Sequence, residues 1–456
     1  MYDIKALYEA ASVEEAIALL QAHPQAQIIA GGSDVLVQIR EGRRAGAELV
    51  SIFGIDALRG VILDGEGAIR IGSLTSFSHI AKSPIIRGKI AVLGEAVSMV
   101  GGPQIRNIGT IGGNTCNGVT SADSASTLLA WDAIVELTGP EGVRRLPIAD
   151  FYIKAGVVDE SYAIVHKVSV PTEGDAGYRP VVQNIARVAE LAAREAGRSV
   201  KDFALVGIGI PGLLNPRTGV VVSAPNLNGW RDVPFLDEIR NLLPAPVRVG
   251  NDANCAVVGE TLAGAAKGNE NVVMLTLGTG VGGGIITDGR LFTGGHGLGA
   301  ELGHMVLHMD GETCGCGMDG CIEAYCSVTS LVKQTRRAME ADPTSAMHGY
   351  AREAGLVDGR TAFECSKMGD KAAAKVVEAY CRYLARSIGS LVTAFRPDVV
   401  LIGGGLSNQR AYLMDKLNAL LPKYVFASDV IGVPPVIRAT LGNDAGTIGA
   451  AYLDRM

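Results

Sequence analysis

The sequence contains no run of eighteen apolar residues, so nothing in it reads as a membrane-spanning helix. It has no excess of positive charge: 41 Lys and Arg stand against 47 Asp and Glu, for a formal net charge of −6. Without a basic patch, nucleic acid is not expected as a partner. The opening Met1-Tyr2-Asp3-Ile4-Lys5 lacks the basic-then-apolar layout of a secretory leader. The eight cysteines include no ferredoxin-type set. They suit a reducing cytoplasm better than a disulfide framework. What remains is a globular, loop-rich, cytoplasmic protein whose 456 residues, 48% apolar and 59 of them glycine, predict two or three domains.

The densest chemistry lies between Glu301 and Glu323. Cys314, Cys316 and Cys321 fall within eight residues, ten positions after His304. Thiolates and a neutral imidazole are preferred ligands of tetrahedral Zn²⁺, and the glycines between them let the loop close around an ion. Four protein ligands leave no coordination position for water, so this spacing predicts a structural zinc. The alternative, reduced buried thiols in a loop, finds little apolar surface in Cys314-Gly315-Cys316-Gly317 to support it.

Glu301-x-Gly303-His304 followed by Cys314-x-Cys316-Gly317-x-x-Gly320-Cys321-x-Glu323 resembles the signature of the ROK family (repressors, open reading frames and kinases), in particular its glucokinase-type sugar kinases. The likeness runs from about Ile153 to the C-terminus. It implies a two-lobed, actin-like (ribonuclease H-like) ATPase fold, with lobes of about 153–260 and 261–456. His304, Cys314, Cys316 and Cys321 would then be the metal ligands, with His304 preferred over the nearby His308.

The first 152 residues read differently. Ser12 to Gln21 predicts a helix with Ser12 as N-cap and Glu15 three positions on. Gln27 to Ala30 predicts a short strand leading into Gly31-Gly32-Ser33-Asp34-Val35, whose backbone N–H groups can wrap an anion. A glycine turn alone would do the same structural job without a ligand. A second stretch, Gln104 to Asn117 followed by Ser121-Ala122-Asp123, reads as another loop. Together they resemble the FAD-binding domain of the xanthine dehydrogenase and carbon monoxide dehydrogenase type, an α+β (PCMH-type) domain. By that resemblance Ile28, Ile29, Ala30, Gly31, Gly32, Ser33, Asp34 and Val35 would bind the FAD diphosphate. Thr110, Gly113, Asn114, Cys116 and Asp123 would line the remainder. Molybdenum and iron–sulfur subunits would be its partners.

Each half departs from its family at one point. The flavin-like pattern stops near Asp150-Phe151-Tyr152, short of the domain that would cover a flavin. The kinase-like pattern begins at Ile153, just after the place of the Asp-x-Gly-Gly-Thr loop that holds ATP phosphates in ROK kinases. No Pro/Ser/Gly-rich linker separates them. The expected layout is an α/β, multi-domain chain with an incomplete domain at 1–152 joined to an incomplete kinase at 153–456, a gene fusion or deletion.

Within the kinase-like half, strands and helices alternate as in a doubly wound α/β architecture. Val247-Arg248-Val249 predicts a strand ending in Asn251-Asp252-Ala253-Asn254, where open α/β sheets bind ligands. Asp252 reads as a helix N-cap or, by the resemblance, as the base that takes the proton of the attacking sugar hydroxyl. The resemblance adds Asn226, Asn251, Glu301, His304 and Glu323 as sugar contacts. Gly278, Thr279, Gly280 and Gly282 would form the second phosphate loop, and Gly403, Gly404 and Gly405 the adenosine loop, with Leu441 to Gly446 closing the nucleotide side. Mg²⁺ would arrive with ATP. Cys326, Cys365 and Cys381 read as core thiols. A homodimer through the kinase-like half is expected.

The leading expectation is thus a hexose kinase of glucokinase type, slowed by the missing phosphate loop. The alternatives are an FAD-binding oxidoreductase fragment and, last, a sugar-responsive regulator, for which no helix-turn-helix segment precedes the sugar domain.

Overall fold

The computed structural model describes residues 3–455 apart from 43, 66, 118–123, 125–126, 129–130, 132, 141, 149–151, 173–176, 225–226, 228 and 355–356. The chain divides into two compact units: Met1–Lys154 with Val168–Asp175 and Glu353–Gly355, and the remainder. Among the described residues no helix is long and apolar enough to cross a membrane.

In the first unit, strands Ile4–Glu9, Ala47–Ser51 and Gln27–Ile29 form a parallel sheet with Ala47–Ser51 in the middle. The expected helix forms over Val13–Ala22. The Glu15 N–H donates to Ser12 Oγ at 3.1 Å, while Glu15 Oε2 accepts from the Ala11 N–H at 2.8 Å. The first bond satisfies a first-turn donor that the helix itself leaves open, and the second ties down the residue before the cap. Leu49 and Val50 are fully buried in the central strand. The stretch read as a second loop is instead two helices, Pro103–Ile108 and Ile111–Asn117. Pro103 suits the first turn of its helix, where a missing N–H costs nothing, and Gly109 separates the two.

In the second unit, a mixed five-stranded sheet runs in the order Arg290–Leu291, Val281–Thr287, Val272–Leu277, Val399–Gly403, Val436–Arg438. The last three are mutually parallel, and Val272–Leu277 meets Val281–Thr287 as an antiparallel hairpin. Glycines that read as a phosphate loop are therefore split. Gly278, Thr279 and Gly280 make the turn, whereas Gly282, Gly283 and Gly284 lie on the strand. Their missing side chains make room for neighbours: a Cβ on Gly282 would stand 2.5 Å from Thr276 Oγ1 and 3.1 Å from Ala253 Cβ, and one on Gly283 2.7 Å from Leu302.

A second parallel pair, Val206–Ile210 with Val247–Asn251, leads into helix Asp252–Leu262. The C-terminal helix Asp444–Ala451 packs on both with backbone nearly touching backbone. A Cβ on Gly207 would lie 1.6 Å from the Ala450 carbonyl oxygen, one on Gly259 2.1 Å from that of Ala445, and one on Gly449 1.7 Å from that of Cys255. The long helix Lys371–Phe395 supplies much of the remaining core, with Tyr380, Leu384, Ile388 and Leu391 fully buried. The three isolated cysteines sit in this core as expected, and burial pushes the thiols of Cys326 and Cys381 up to about 12.

Candidate active site and metal cluster

The helix cap falls on Asn251. Its Oδ1 accepts the N–H groups of Ala253 at 2.9 Å and Asn254 at 3.2 Å, and its Nδ2 donates to the Gly212 carbonyl at 3.0 Å. Asp252 shares in this, its Oδ1 also accepting the Ala253 N–H at 2.9 Å. It occupies the first helical position at the end of strand Val247–Asn251 with its side chain exposed. The amide of Asn251, expected to hold sugar, is largely committed to backbone. Asn226 lies outside the described residues.

Glu301 precedes the short 3₁₀ turn Leu302–His304. Leu302 is buried against Gly283, and a Cβ on Gly303 would stand 2.0 Å from the Val281 carbonyl oxygen. This segment is therefore fixed on the strand that follows the glycine turn. The Glu301 carboxyl reaches solvent, yet the protein crowded around it pushes it above the usual carboxylate range. The charge of Asp252 adds to that rise, and the neighbouring His304 opposes it.

The donor atoms of His304, Cys314, Cys316 and Cys321 all lie within 4.8 Å of one another. Cys314 Sγ is 3.8 Å from His304 Nδ1, and the sulfurs of Cys316 and Cys321 are 3.7 Å apart. A tetrahedral ion with bonds of about 2.3 Å to sulfur requires ligand separations of roughly 3.8 Å, so the set fits such an ion. His308 points elsewhere: its Nδ1 lies 2.9 Å from the Met309 carbonyl oxygen. Burial pushes the Cys314 thiol up to about 12, whereas the Met318 N–H bond lowers that of Cys316. Gly317 and Gly320, at φ +90° and +78°, let the loop turn through conformations other residues resist.

Glu323 begins a one-turn helix beside this cluster. Its Oε2 accepts the Val281 N–H at 2.9 Å, and the Cys314 thiol lies 3.4 Å from its Oε1. The glycine turn before Val281 is held on its other side too. The Gly278 carbonyl accepts from the Val328 N–H at 2.8 Å, and the Thr279 carbonyl accepts from Thr329 Oγ1 at 2.8 Å. The second glycine turn adjoins the first: Thr276 and Gly403 are register partners on adjacent parallel strands, and a Cβ on Gly404 (φ +77°) would stand 2.4 Å from the Leu277 carbonyl oxygen. Two glycine turns thus leave the C-terminal ends of neighbouring parallel strands, the edge where such sheets take ligands. Gly405 opens the 3₁₀ turn that follows.

Two features of this unit escaped sequence reasoning. Lys167 pairs with Asp444, and the buried Glu260 bonds to the loop before Asp444. Both join residues far apart in the chain, so no local pattern announces them.

In the first unit the two flavin-type stretches do come together. A Cβ on Gly31 would stand 2.0 Å from the Ile108 carbonyl oxygen, just before Thr110. Thr110 is buried and its Oγ1 accepts the Gly113 N–H at 3.1 Å. Asn114 Oδ1 accepts from the Ser124 hydroxyl. Gly32 takes φ +71°, while Ser33, Asp34 and Cys116 are exposed. Ile29 is buried, Ile28 exposed, and Asp123 lies outside the described residues.

Comparison with known proteins follows the same division. Residues 2–173 match the model of the FAD binding domain in molybdopterin dehydrogenase. The putative xanthine dehydrogenase FAD-binding subunit of Escherichia coli is 41% identical over 177 residues, 38% of this chain. The chain spans only 61% of that relative's length. The glucokinase of Thermotoga maritima is 35% identical over 299 residues, covering 65% of this chain and 92% of that protein. A ROK family glucokinase from Streptomyces griseus, solved in complex with glucose and AMPPNP, superposes with a TM-score of 0.57 at 33% identity, over 67% of this chain and 96% of the other. Residues 149–456 match the ROK family model, and the chain belongs to the ROK family.

Proposed function

We propose that residues 153–456 are a hexose kinase of the glucokinase type, fused to a partial FAD-binding domain in residues 1–152. The observation that carries this reading is the position of Asp252: an exposed carboxylate on the first turn of helix Asp252–Leu262, at the C-terminal end of strand Val247–Asn251 where such sheets take ligands, with Asn251 as the N-cap. Asp252 accepts the proton of a sugar hydroxyl, whose oxygen bonds to the γ-phosphorus of ATP while the bond to the leaving ADP oxygen breaks. Glu301, His304, Glu323 and the remaining amide hydrogen of Asn251 orient the sugar. Gly278, Thr279 and Gly280 serve the phosphates and Gly403, Gly404 and Gly405 the nucleoside, with Mg²⁺ entering as part of the ATP complex.

His304, Cys314, Cys316 and Cys321 would hold a structural Zn²⁺, supported by their donor set and spacing. When bound, the ion supplies rigidity to the loop bearing Glu301 and Glu323 rather than chemistry. The residues before Ile153 lack the Asp-x-Gly-Gly-Thr loop, which removes one phosphate clamp. Losing transition-state donors lowers turnover by about 10²-fold or more while leaving sugar affinity in place. A coupled assay with glucose and ATP, alongside calorimetry with glucose, tests the reading. Sugar binding with slow turnover supports it; no heat with any hexose would remove it.

The first unit supports a second reading, a flavin site, through the contact of Gly31 with Ile108. A yellow purified protein with a flavin spectrum would establish it, and a colourless one that stays so with added FAD would exclude it. Molybdenum and iron–sulfur subunits are partners only if flavin binds. A homodimer through the kinase half and a reducing, cytoplasmic setting complete the reading, the latter in keeping with eight free thiols.

A further inference from the structure

Glu260 is a carboxylate in an unusual place. It is fully buried, and it sits in the last turn of helix Asp252–Leu262, where the helix dipole disfavours negative charge. Its partners are neutral donors. Oε2 accepts the Ala265 N–H at 2.8 Å and lies 3.3 Å from Thr440 Oγ1, and Oε1 accepts the Leu441 N–H at 2.7 Å. The Ala265 bond is local and serves the turn after the helix. The other two reach a loop some 180 residues later. A glutamine could not replace it cleanly, because one of its ends would present N–H to N–H.

The loop so held leads directly to the last helix. The Asp444 N–H donates to the Leu441 carbonyl at 3.1 Å, and the Asp444 carboxylate pairs with Lys167. We propose that Glu260 is the positioning residue of the nucleotide side: with its buried carboxylate it fixes Thr440 and Leu441, and through them the Asp444 turn, from the far end of the helix whose first residue is Asp252. The proposal rests on the kinase reading above and deepens it. One rigid helix of eleven residues then sets both the base and the loop opposite it in a single frame. Glu260 touches no substrate in this scheme and acts only through the loop.

The test uses the full-length chain and the variant Glu260→Gln. Turning one acceptor oxygen into a donor that faces a buried N–H predicts that the dissociation constant for a non-hydrolysable ATP analogue rises about tenfold, as does KM for ATP. The dissociation constant for glucose and kcat at saturating ATP stay within about twofold. Amide exchange at Leu441, measured without nucleotide, speeds up in the same variant. Equal loss of sugar and nucleotide affinity would mean a merely structural role, and unchanged nucleotide affinity would overturn the proposal outright. If Glu260→Gln does not fold, Thr440→Val removes one arm alone. A two- to fivefold weakening toward the analogue, at unchanged glucose affinity, is then expected on the order of one hydrogen bond, and no weakening overturns the proposal. A parent chain that binds no ATP analogue sinks the kinase reading itself, whereas a parent and variant that bind it equally sink only this inference.

Discussion

Glu323 and Val281 are joined by a 2.9 Å hydrogen bond from the strand's first N–H to the carboxylate, whose other oxygen lies 3.4 Å from the Cys314 sulfur. One side chain therefore ties the glycine turn to the cysteine cluster. Glu323→Ala leaves the Val281 N–H without this acceptor, at a cost of about 1–3 kcal/mol. The expected result is a lower melting temperature together with weaker binding of both glucose and an ATP analogue. Calorimetry that finds only one ligand affected would break the link between the two.

Asp252 should matter to turnover and little else. Asp252→Asn keeps the size of the side chain and removes the base, so kcat falls by about 10²- to 10⁴-fold. Glucose affinity and thermal stability remain near those of the parent, because Asn251 carries the cap. A stopped assay with radiolabelled ATP has the range to follow this, and a variant of unchanged kcat would assign the proton to another group.

Metal content offers an independent check. The purified chain should carry one zinc, read by atomic emission, held by His304, Cys314, Cys316 and Cys321. Removing it with a chelator should loosen the Glu301–Glu323 loop and weaken glucose binding by about tenfold or more, in line with the loss of groups that orient a site. Protease sensitivity around Gly315 and Gly317 should rise in parallel. Zinc-free protein with full sugar affinity would deny the cluster its supporting role.

Asp370 connects stability to pH. Its Oδ1 accepts the Ala373 N–H at 2.7 Å at the head of helix Lys371–Phe395, and its Oδ2 accepts from the Ala346 N–H at 2.6 Å and Ser345 Oγ at 3.0 Å. Burial raises the carboxyl, but these donors outweigh it and hold the group below its ordinary value. The folded state thus favours the ionised form. Its stabilisation is complete above the unfolded value of about 3.9 and is lost as pH falls through the lower folded one. Asp370→Ala should cost about 1 kcal/mol or more at neutral pH, as an N-cap does. The gap between parent and variant in urea melts should narrow toward pH 3.

Much of this was legible because it is local. Ser12 and Glu15 announce a helix start by their spacing, and the Cys/His spacing announces a cluster. The strands under the two glycine turns are apolar runs of the right length. The failures have physical causes as well. Glycines suggested a loop at Gly282–Gly284, but there they serve close packing of a strand under Ala253 and Leu302, which sequence cannot distinguish from a turn. Gly112 and Gly113 likewise concealed a helix. At Asn251-Asp252 both residues can cap, and only the three-dimensional course to the Gly212 carbonyl decides which one does. Glu260 drew no reading at all, because two of its partners come from a loop some 180 residues later.

The closing helix, pressed by glycines against Gly207 and Gly259, has a consequence for biosynthesis. Strand Val206–Ile210 leaves the ribosome some 240 residues before the segment that covers it, and at about 5–20 residues per second that interval lasts tens of seconds or less. Over that interval the nascent chain carries an uncovered apolar face, which invites chaperones. A premature stop codon only a dozen positions early would leave this face bare for good.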